Sequence, residues 1–371
     1  MNQEESSPKP CILVAPLDWG LGHATRCIPI IHALLGENYC VIIAAEGRIK
    51  DLLLEEFPTL FFVPLAGYNI RYSRRRWLLP LIMLWQMPRI LSVIRREHKW
   101  LQEAVKRYAV IAVISDNRYG LYHADIPCFF ITHQLQIRTP VSFLNHLLQR
   151  LNYRFINRYT ECWVPDEPVF PGYSGMLAHP QTLPLIPVHY TGILTRFHPS
   201  SKENKENHLL VILSGPEPQR SILEDILLEQ LKTYKDPVVM VRGLPGKEQE
   251  VAVTEHITVY DHLPARQLEE KIKQATFVIS RCGYSTVMDL MALKKKAIFI
   301  PTPGQTEQEY LSELLSDNQY ALCIPQNKFN LHEAIQQANK FAYRFKDPDQ
   351  YKLKDTIQHL NEFLHTSRTL A

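Results

Sequence analysis

Two series of short apolar runs alternate with helix-like segments, and this alternation limits the fold more than any other feature of the sequence. The predicted strands of the first series are residues 11–17, 40–45, 60–65, 110–115, 128–132 and 161–164. Those of the second series are residues 209–213, 238–241, 277–280 and 297–300. Continuous apolar runs of this length between helices are typical of parallel sheets that helices cover on both faces. We therefore expect an α/β protein made of two Rossmann-like, doubly wound domains that face a central cleft.

A polar segment separates the two series. Residues 197–208 (FHPSSKENKENH) mix charges and lack apolar periodicity, as linkers do. This predicts an N-terminal domain at 10–196 and a C-terminal domain at 209–345, sizes that suit a chain of 371 residues. Residues 346–371 are expected to end in a helix that is a candidate to pack back on the N-terminal domain. Doubly wound folds bind ligands at the carboxyl ends of their strands, so the cleft is the expected site.

Positive charge is concentrated in one apolar segment. Residues 71–107 contain ten Lys or Arg and two Glu, a formal charge of +8, whereas the whole chain carries +3. Because the segment is more apolar than basic, it favours an anionic membrane surface over nucleic acid as a partner. A core helix with a solvated basic face is an equally open alternative. The residues expected to form the membrane patch are Arg74, Arg75, Arg76, Trp77, Leu81 and Trp85.

The cysteines and the apolar runs indicate the compartment. The seven cysteines are scattered and form no CxxC pair, which favours a reducing environment over a disulfide framework or a zinc site. The N-terminal sequence MNQEESSPKP is polar, unlike a secretory signal. The longest uncharged apolar run, 77–88, is shorter than the about 20 residues needed to cross a bilayer. We expect a cytoplasmic protein, peripheral on the cytoplasmic face of the membrane if the basic segment contacts lipid.

The turn DWGLGHATR, residues 18–26, joins the first predicted strand to the first helix. Gly20 and Gly22 predict a tight turn with positive φ and close approach of a ligand, and the helix start offers an anion site. His23 stands in the first helical turn and titrates near neutrality, so it is a candidate general base. The alternative is a plain strand-to-helix turn with a structural histidine.

A dinucleotide-binding turn is a further alternative for the same segment. The GxGxxG pattern fails because Thr25 stands where the third glycine is required. However, Glu46 ends the second strand where a ribose-binding acid would lie. A nicotinamide or flavin enzyme therefore stays open.

A second glycine turn, RCGYSTVMD at residues 281–289, follows the strand at 277–280. Thr286 and Asp289 lie three residues apart on one face of the next helix, where a carboxylate can bind two adjacent hydroxyls such as those of ribose. The same spacing fits a capping box, which is the competing interpretation. Arg281 at the strand end is a candidate phosphate partner, or alternatively a surface arginine.

The next predicted helix start is unusually rich in amide and acid groups. Gln305, Gln308 and Glu309 cluster beside a Pro-Gly turn, which suits recognition of several sugar hydroxyls. Thr306-x-x-Glu309 again fits a capping box as the alternative.

Two further anion sites are indicated elsewhere in the cleft. Ser214 and Gly215, between the strand at 209–213 and a helix, form a candidate anion nest. Arg196 lies at the domain junction and is a second candidate phosphate partner, with a surface arginine as the alternative.

Together these motifs resemble GT-B-fold glycosyltransferases, in particular family 28, which is typified by the peptidoglycan N-acetylglucosaminyltransferase. GLGH at 20–23 resembles that family's GGxGGH turn, and GILTR at 192–196 resembles its GNPxR. RCGYSTVMD followed by FIPTPGQTEQEY at 299–310 resembles its donor-binding segment and is the most specific match.

The resemblance implies that the C-terminal domain holds a UDP-sugar as co-substrate, without a metal or other cofactor, so the Asp347-Pro348-Asp349 stretch is interpreted as a loop. It places Asp289 at the ribose, Gln308 and Glu309 at the sugar, Arg196 and Ser214 at the diphosphate, and the backbone near 260–263 at the uracil. The full expected donor-binding set is Arg196, Ser214, Gly215, Tyr260, His262, Leu263, Arg281, Gly283, Ser285, Thr286, Asp289, Gln305, Gln308 and Glu309.

The chain departs from the family pattern at three places. Arg26 stands where the family has a proline three residues after the histidine, and this departure lies on the side of the site that is expected to bind the acceptor. The loop after Ser214 has one glycine, and Glu309 replaces a second glutamine, which concerns the donor sugar. The expected acceptor-side loop consists of Asp18, Gly20, Gly22 and Arg26.

The expected function is therefore transfer of a hexosyl group, an N-acetylhexosaminyl group being one option, from a UDP-sugar to an acceptor hydroxyl with inversion. The acceptor class that the membrane patch favours is a lipid or a lipid-linked glycan. His23, or a nearby acid such as Asp116, is expected to take the acceptor's proton. The alternatives are a GT-B-fold sugar-nucleotide 2-epimerase and a non-enzymatic, membrane-associated sugar-nucleotide-binding protein.

Overall fold

The computed structural model describes residues 10–68, 79–138, 142–198, 207–215, 217–244, 250–347 and 352–369. Its strands form two sheets of seven strands each, one in each half of the chain, and helices connect the strands. The α/β class predicted from the apolar alternation is therefore confirmed.

The N-terminal sheet is built from parallel strands. Its strands are β1 Cys11–Pro16, β2 Cys40–Ala44, β3 Phe61–Val63, β4 Val110–Asp116, β5 Cys128–Ile131, β6 Glu161–Val164 and β7 Val188–Tyr190. Its helices are α1 Leu21–Gly36, α2 Gly47–Glu56, α3 Leu79–Tyr108 and α4 Ser142–Ile156. The strand order is β3-β2-β1-β4-β5-β6-β7, and the described pairs are all parallel. The order reverses between β1 and β4, and such a switch point opens a crevice at the carboxyl ends of the two strands.

The C-terminal sheet repeats this plan. Its strands are β8 His208–Ile212, β9 Val238–Val241, β10 Glu250–Thr254, β11 Ile257–Tyr260, β12 Ala275–Ser280, β13 Ala297–Phe299 and β14 Leu322–Cys323. The helices are α5 Gln219–Leu231, α6 Ala265–Gln274, α7 Tyr284–Ala292, α8 Thr306–Asp317, α9 Leu331–Lys340 and α10 Lys352–Thr369. The strand order is β10-β11-β9-β8-β12-β13-β14, in which β10 is antiparallel to β11 and the other described pairs are parallel. Here the order reverses between β8 and β12.

The central strand β1 shows why the apolar runs are continuous. Ile12 and Val14 belong to one buried cluster, whereas Leu13 and Ala15 belong to another on the opposite face. All four side chains are fully buried. A strand covered on both faces must be apolar at every position, and that is the pattern the sequence displays.

The structure adds elements that the periodicity did not predict. All ten predicted strands are present, with their ends within two residues of the predicted ones. The strands β7 and β14 were missed because they contain only three and two residues. The strand β11 alternates buried and half-buried residues, and β10 is its antiparallel edge partner, so neither shows a continuous apolar run. The amphipathic helix α9 was also missed.

The last helix, α10, packs against the N-terminal half. Its apolar residues Ile357, Leu360 and Leu364 are buried in the core cluster that also contains residues of α1. His359 Nε2 lies 2.9 Å from Glu161 Oε1, and the Tyr39 hydroxyl donates to Asn361 Oδ1 at 2.7 Å. The chain therefore crosses back from the second sheet to the first.

The basic segment contributes the helix α3, which is partly a core helix. Val93, Ile94 and Leu101 are buried, whereas Trp85 is 80% exposed. The predicted membrane residues Arg74, Arg75, Arg76 and Trp77, and the side chain of Leu81, lie outside the described residues. Within the described part of the chain, no helix is long and apolar enough to cross a membrane.

Candidate active site

The two switch points open into one cavity of about 640 Å³ between the halves of the chain. From the N-terminal half, the predicted site residues that line it are Asp18, Gly20, Gly22, His23 and Arg26. From the C-terminal half they are Ser214, Gly215, Gly283, Ser285, Thr286, Gln305 and Gln308. The fold thus brings two distant sets of predicted residues to the same space.

The first glycine turn differs from the prediction in its backbone. Gly20 precedes α1 with an extended φ of 170°, and Gly22 lies inside α1 without a positive φ, so the predicted positive-φ turn is wrong. Gly22 has another physical role. A Cβ at Gly22 would lie 2.6 Å from Ser285 Oγ, which donates a hydrogen bond to the Gly22 carbonyl at 3.0 Å. The missing side chain therefore lets α7 of the other half approach α1.

His23 lies against a buried ion pair. Its Nδ1 is 3.0 Å from Asp116 Oδ2, at the end of β4, and 2.8 Å from Arg26 Nη2. Arg26 donates from Nε to Asp116 Oδ2 at 2.8 Å and also pairs from Nη2 with Oδ1. The Asp116 and Arg26 side chains are 0% and 2% exposed, whereas His23 is 17% exposed. The ring edge that carries Nε2 is therefore the one left for the cavity.

The charges around His23 assign different roles to the two predicted catalytic residues. Burial lowers the pKa of His23, and Arg26 lowers it further, against the raising effect of Asp116. Burial alone would raise the pKa of Asp116, but Arg26 and His23 outweigh it and the pKa is lowered. Asp116 is consequently an ionised partner of His23 and Arg26, while His23 is the group that can be neutral and basic near pH 7.

Two residues of this cluster were not predicted from the sequence. His133 follows β5, with Nδ1 3.2 Å from Arg26 Nη1 and Nε2 2.8 Å from Glu307 Oε1. Its ring stacks on Tyr284 with centroids 4.3 Å apart. His133 and Glu307 both line the cavity. The position of His133 directly after a buried strand was the available signal, whereas Glu307 resembled an ordinary acid in the first turn of a helix.

Asp289 lies on α7 one turn beyond the cavity lining. It accepts a hydrogen bond from Thr195 Oγ1 at 2.7 Å, so it joins the two halves of the chain. Burial raises its pKa to about 6, against the lowering effects of Arg196 and Thr195. Because α7 begins at Tyr284 with Gly283 before it, Thr286 is not at the N-cap and the capping-box interpretation is wrong.

Arg196 is the charged neighbour of Asp289. Burial lowers the pKa of Arg196, and Asp289 opposes that effect. Its Nε is buried without a hydrogen-bond acceptor among the described residues. Arg196 is not among the residues that line the cavity.

The loop before α8 is held together by its own polar side chains. The side-chain oxygen Oε1 of Gln308 accepts a hydrogen bond from Thr302 N at 2.9 Å, and its side-chain nitrogen Nε2 donates to Gln305 Oε1 at 2.6 Å. Glu309 accepts from Gly304 N at 3.0 Å and lies outside the cavity lining, unlike its neighbour Glu307. The second capping-box interpretation is also wrong, because Gln305 precedes α8 and the Thr306 hydroxyl donates to the Arg138 carbonyl.

Arg281 is placed differently from the prediction. It is 1% exposed and donates to the carbonyls of Gln219, Ile300 and Pro301, so it connects the start of α5 to the segment after β13 and is not a surface arginine. Burial lowers its pKa to about 10. It does not line the cavity.

The segment expected at the uracil also lies outside the cavity lining, which includes none of Tyr260, His262 and Leu263. His262 Nε2 is 3.1 Å from Glu55 Oε2 of α2, a further contact between the halves. Gly243, which was not predicted, lines the cavity together with Gly215. Both glycines have positive φ, +66° and +99°, and Gly243 approaches the Leu213 carbonyl too closely for a side chain.

The acidic loop after the last strand is only partly described. Asp347 pairs with Lys294, while Pro348 and Asp349 lie outside the described residues. Across the part of the chain that the structure describes, no group of three or more His, Cys, Asp or Glu is arranged to hold a metal ion.

Comparison of the sequence with known proteins identifies one domain. Residues 210–360 match the glycosyltransferase family 28 C-terminal domain. A segment of 92 residues is 37% identical to the UDP-N-acetylglucosamine–N-acetylmuramyl-(pentapeptide) pyrophosphoryl-undecaprenol N-acetylglucosamine transferase of Rickettsia felis, and covers 24% of each chain. A 68-residue segment is 41% identical to the protein of the same name from Campylobacter jejuni, covering 18% of this chain and 20% of that one. The matched segments thus span about a quarter or less of these relatives.

Comparison of the structures extends the likeness to both halves. The structural alignment with MurG of Acinetobacter baumannii covers 97% of this chain and 100% of the MurG chain, with a TM-score of 0.52 and 15% sequence identity. A second alignment is with UGT2 of Phytolacca americana, which was solved with UDP-2fluoro-glucose and pterostilbene. It covers 97% of this chain and 95% of the UGT2 chain, with a TM-score of 0.57 and 14% sequence identity. The chain therefore has the GT-B fold over nearly its whole length and carries a glycosyltransferase family 28 C-terminal domain, which confirms the resemblance inferred from its motifs.

Proposed function

We propose that this protein is an inverting glycosyltransferase that moves a hexosyl group, in particular an N-acetylhexosaminyl group, from a UDP-sugar to an acceptor hydroxyl. The observation that carries the proposal is the shared cavity. One wall presents His23 with its buried acid partner, and the opposite wall presents the glycine-bearing loops of the family 28 domain. A base and a nucleotide-binding surface facing one space suit direct displacement at an anomeric carbon.

His23 is the proposed general base. Its Nδ1 faces both Asp116 Oδ2 at 3.0 Å and Arg26 Nη2 at 2.8 Å. In the tautomer that the proposal requires, Nδ1 donates its proton to Asp116 Oδ2, Arg26 Nη2 donates to Asp116 Oδ1, and the Nε2 lone pair is left for the acceptor hydroxyl. Arg26 keeps Asp116 ionised, so the carboxylate orients the ring without taking the proton. As the acceptor oxygen attacks, its proton moves to Nε2, and the imidazolium formed is stabilised by Asp116.

The C-terminal half is the proposed donor site. The start of α7 at Gly283 and Ser285 and the loop of Ser214 and Gly215 line the cavity. Backbone amides at a helix start and in a glycine-bearing loop suit the negative charge of a diphosphate. The same groups would stabilise the charge that develops on the departing UDP, and Arg196 is a candidate to join them. Asp289 is the proposed ribose ligand. No metal or other cofactor is part of the proposal.

The first expected result is selective stabilisation by sugar nucleotides. UDP-N-acetylglucosamine, UDP-glucose, a dTDP-sugar, a GDP-sugar and NAD should be compared by thermal unfolding. A UDP-sugar at 100 times its Kd should stabilise the fold by about 2.7 kcal/mol, and NAD should not stabilise it. Stabilisation by NAD alone, or by none of the five, would contradict the proposal.

Turnover then separates the transferase from its alternatives. Release of UDP that requires a membrane-lipid extract supports transfer to a lipid or lipid-linked glycan. Formation of an epimeric UDP-sugar without acceptor identifies a 2-epimerase. Saturable binding with neither product identifies a sugar-nucleotide-binding protein without enzymatic activity.

We also propose that the basic segment brings the enzyme to an anionic membrane surface. Trp85 is exposed at the described end of this segment, and Arg89, Arg95 and Arg96 are exposed further along α3. Replacing Arg74, Arg75 and Arg76 together by Ser should weaken binding to phosphatidylglycerol-containing vesicles. At about 1 kcal/mol per basic residue, the loss is about 100-fold in sedimentation assays.

A charge-matched variant controls for the loss of three positive charges. Lys232, Lys235 and Lys340 are exposed and lie in the C-terminal half. Their joint replacement by Ser should leave vesicle binding nearly unchanged, and both triple variants should keep their affinity for UDP. Equal losses in the two variants would contradict a specific membrane patch.

A further inference from the structure

His133 connects the predicted base cluster to the other half of the chain. It belongs to the N-terminal half, two residues after the end of β5, and its side chain is 9% exposed. On one side its Nδ1 lies 3.2 Å from Arg26 Nη1. On the other side, Glu307 Oε1 lies 2.8 Å from its Nε2 and the Tyr284 ring lies 4.3 Å from its ring. Both of the latter partners come from the C-terminal half, from α8 and α7.

These contacts are compatible with one tautomer of His133. A guanidinium can only donate hydrogen bonds, so Nδ1 must accept from Arg26. The ring proton is then on Nε2 and is donated to the Glu307 carboxylate. Burial raises the pKa of Glu307, but His133, Arg26 and His23 together outweigh that effect and lower it, so Glu307 is an ionised acceptor. The contact is a charge-assisted hydrogen bond across the cleft.

The guanidinium of Arg26 is held on two sides. Its Nε and Nη2 donate hydrogen bonds to Asp116, and its Nη1 donates to His133 Nδ1. Asp116 is in turn the partner of the His23 ring. A hydrogen-bonded series therefore runs from Glu307 through His133, Arg26 and Asp116 to His23. It is complete only while the C-terminal half supplies Glu307.

We propose that Glu307 is a positioning residue that acts through His133 and Arg26 to hold the His23 base cluster, so that the cluster is complete only when the two domains are closed as in this structure. This inference rests on the proposed function. Glu307 stands beside Gln305 and Gln308 at the cavity, so a donor that draws α8 toward the N-terminal half would also bring the base into order. The coupling would make the order of the base depend on the closed arrangement of the two domains, which a bound donor would stabilise.

A purely structural role is the competing explanation. An acid in the first turn of a helix is stabilising by itself, and Glu307 occupies that position in α8. The exposed Glu313 on the same helix provides a matched control, because its replacement removes the same charge without touching His133. Glu307→Gln provides a conservative variant, because its amide oxygen can still accept from His133 Nε2.

The kinetic test uses the full chain with UDP-N-acetylglucosamine, or the UDP-sugar that gives turnover. Glu307→Ala should lower kcat about 10- to 100-fold while the donor Kd changes less than about twofold. Glu307→Gln should recover most of kcat, and Glu313→Ala should match the wild type. The double variant His133→Ala/Glu307→Ala should be no slower than His133→Ala alone, because residues that act as a unit are not additive.

A second measurement does not depend on turnover. Imidazole ¹⁵N spectra of the unliganded protein should show His133 protonated at Nε2, with signals assigned through His133→Ala and His23→Ala. Glu307→Ala should shift the signals of both histidines, and Glu313→Ala should shift neither. If the His23 signal stays in place, the inference is overturned whatever the activity. If both signals shift but no UDP-sugar is turned over, the proposed function fails and the coupling stands.

Discussion

Replacing His23 by alanine is expected to lower kcat about 100- to 10,000-fold, the range by which a positioned general base accelerates proton transfer. The donor Kd should stay unchanged, because His23 belongs to the wall opposite the family 28 domain. The fold should also persist, since Asp116 keeps its paired contact with the buried Arg26. Measurement of kcat under saturating donor and acceptor, together with calorimetric titration of UDP-N-acetylglucosamine, checks both statements.

The pH profile of kcat provides an independent sign. A base acts in its deprotonated form, and the pKa of His23 is lowered by burial and by Arg26. Activity should therefore persist below the ordinary histidine pKa of about 6.5 and decline only as the pH falls further. In His23→Ala this acidic decline should disappear from kcat.

His32 provides a matched control on the same helix. Its side chain is 56% exposed and pairs with Glu56, away from the cavity. His32→Ala should keep the kcat of the wild type. A loss in His32→Ala comparable with that in His23→Ala, or a donor Kd that rises in parallel with the loss of kcat, would contradict the role of base.

The parts of the site that follow from local sequence were predictable. His23 stands in a glycine turn after an apolar strand, and Asp116 ends another apolar strand, so the switch-point rule places both at one crevice. The contact between Arg26 and Asp116 spans 90 residues of sequence, and no local pattern reveals it. Arg26 was noticed only because it departs from a family pattern.

Other parts depend on the relative position of two domains, which sequence periodicity does not contain. Gly22 was expected to make room for a ligand, but it makes room for Ser285 of the other half. Glu307 was passed over in favour of Glu309, because nothing in TEQEY shows which acid faces the cleft. The orientation of α8 about its axis determines which acid faces the cleft: Glu307 lines the cavity, whereas Glu309 accepts a hydrogen bond from Gly304 N.

Helix ends explain the errors in the capping interpretations. A Thr-x-x-acid pattern predicts a cap only if the helix begins just after the threonine. α7 begins two residues before Thr286, and α8 begins at Thr306 itself. Such a shift is within the usual uncertainty of helix boundaries, yet it changes Asp289 from a capping partner into a side chain that meets Thr195 of the other half.

Replacing Asp289 by asparagine is expected to weaken UDP-sugar binding about 10- to 100-fold at pH 8, the cost of losing charged hydrogen bonds to two ribose hydroxyls. Asp289 accepts from the Thr195 hydroxyl, so its carboxylate is placed to hold a hydroxyl donor of the kind that ribose presents. Asparagine preserves the size and one acceptor but removes the charge. Asp317→Asn, an exposed change of the same kind on α8, should leave the affinity unaltered.

The pH dependence of binding tests the same carboxylate more sharply. Burial raises the pKa of Asp289 to about 6, so the group is ionised above pH 6 and becomes protonated below it. If the anion holds the ribose, the wild-type Kd should rise as the pH falls through about 6, approaching tenfold per pH unit. The probe should be UDP-N-acetylglucosamine, because its esterified diphosphate lacks the terminal phosphate proton that titrates near pH 6 in UDP.

This dependence separates ribose binding from a role in domain contact alone. In Asp289→Asn the Kd should no longer vary between pH 5 and pH 8, whereas His23→Ala should keep the wild-type binding profile although it loses the acidic decline of kcat. The titration of the Asp289 carboxylate would then appear in the donor affinity, and that of the His23 imidazole would appear in the turnover. A wild-type Kd that is flat across pH 6, combined with an unchanged Kd in Asp289→Asn, would assign Asp289 to the contact with Thr195 and leave the ribose to another residue.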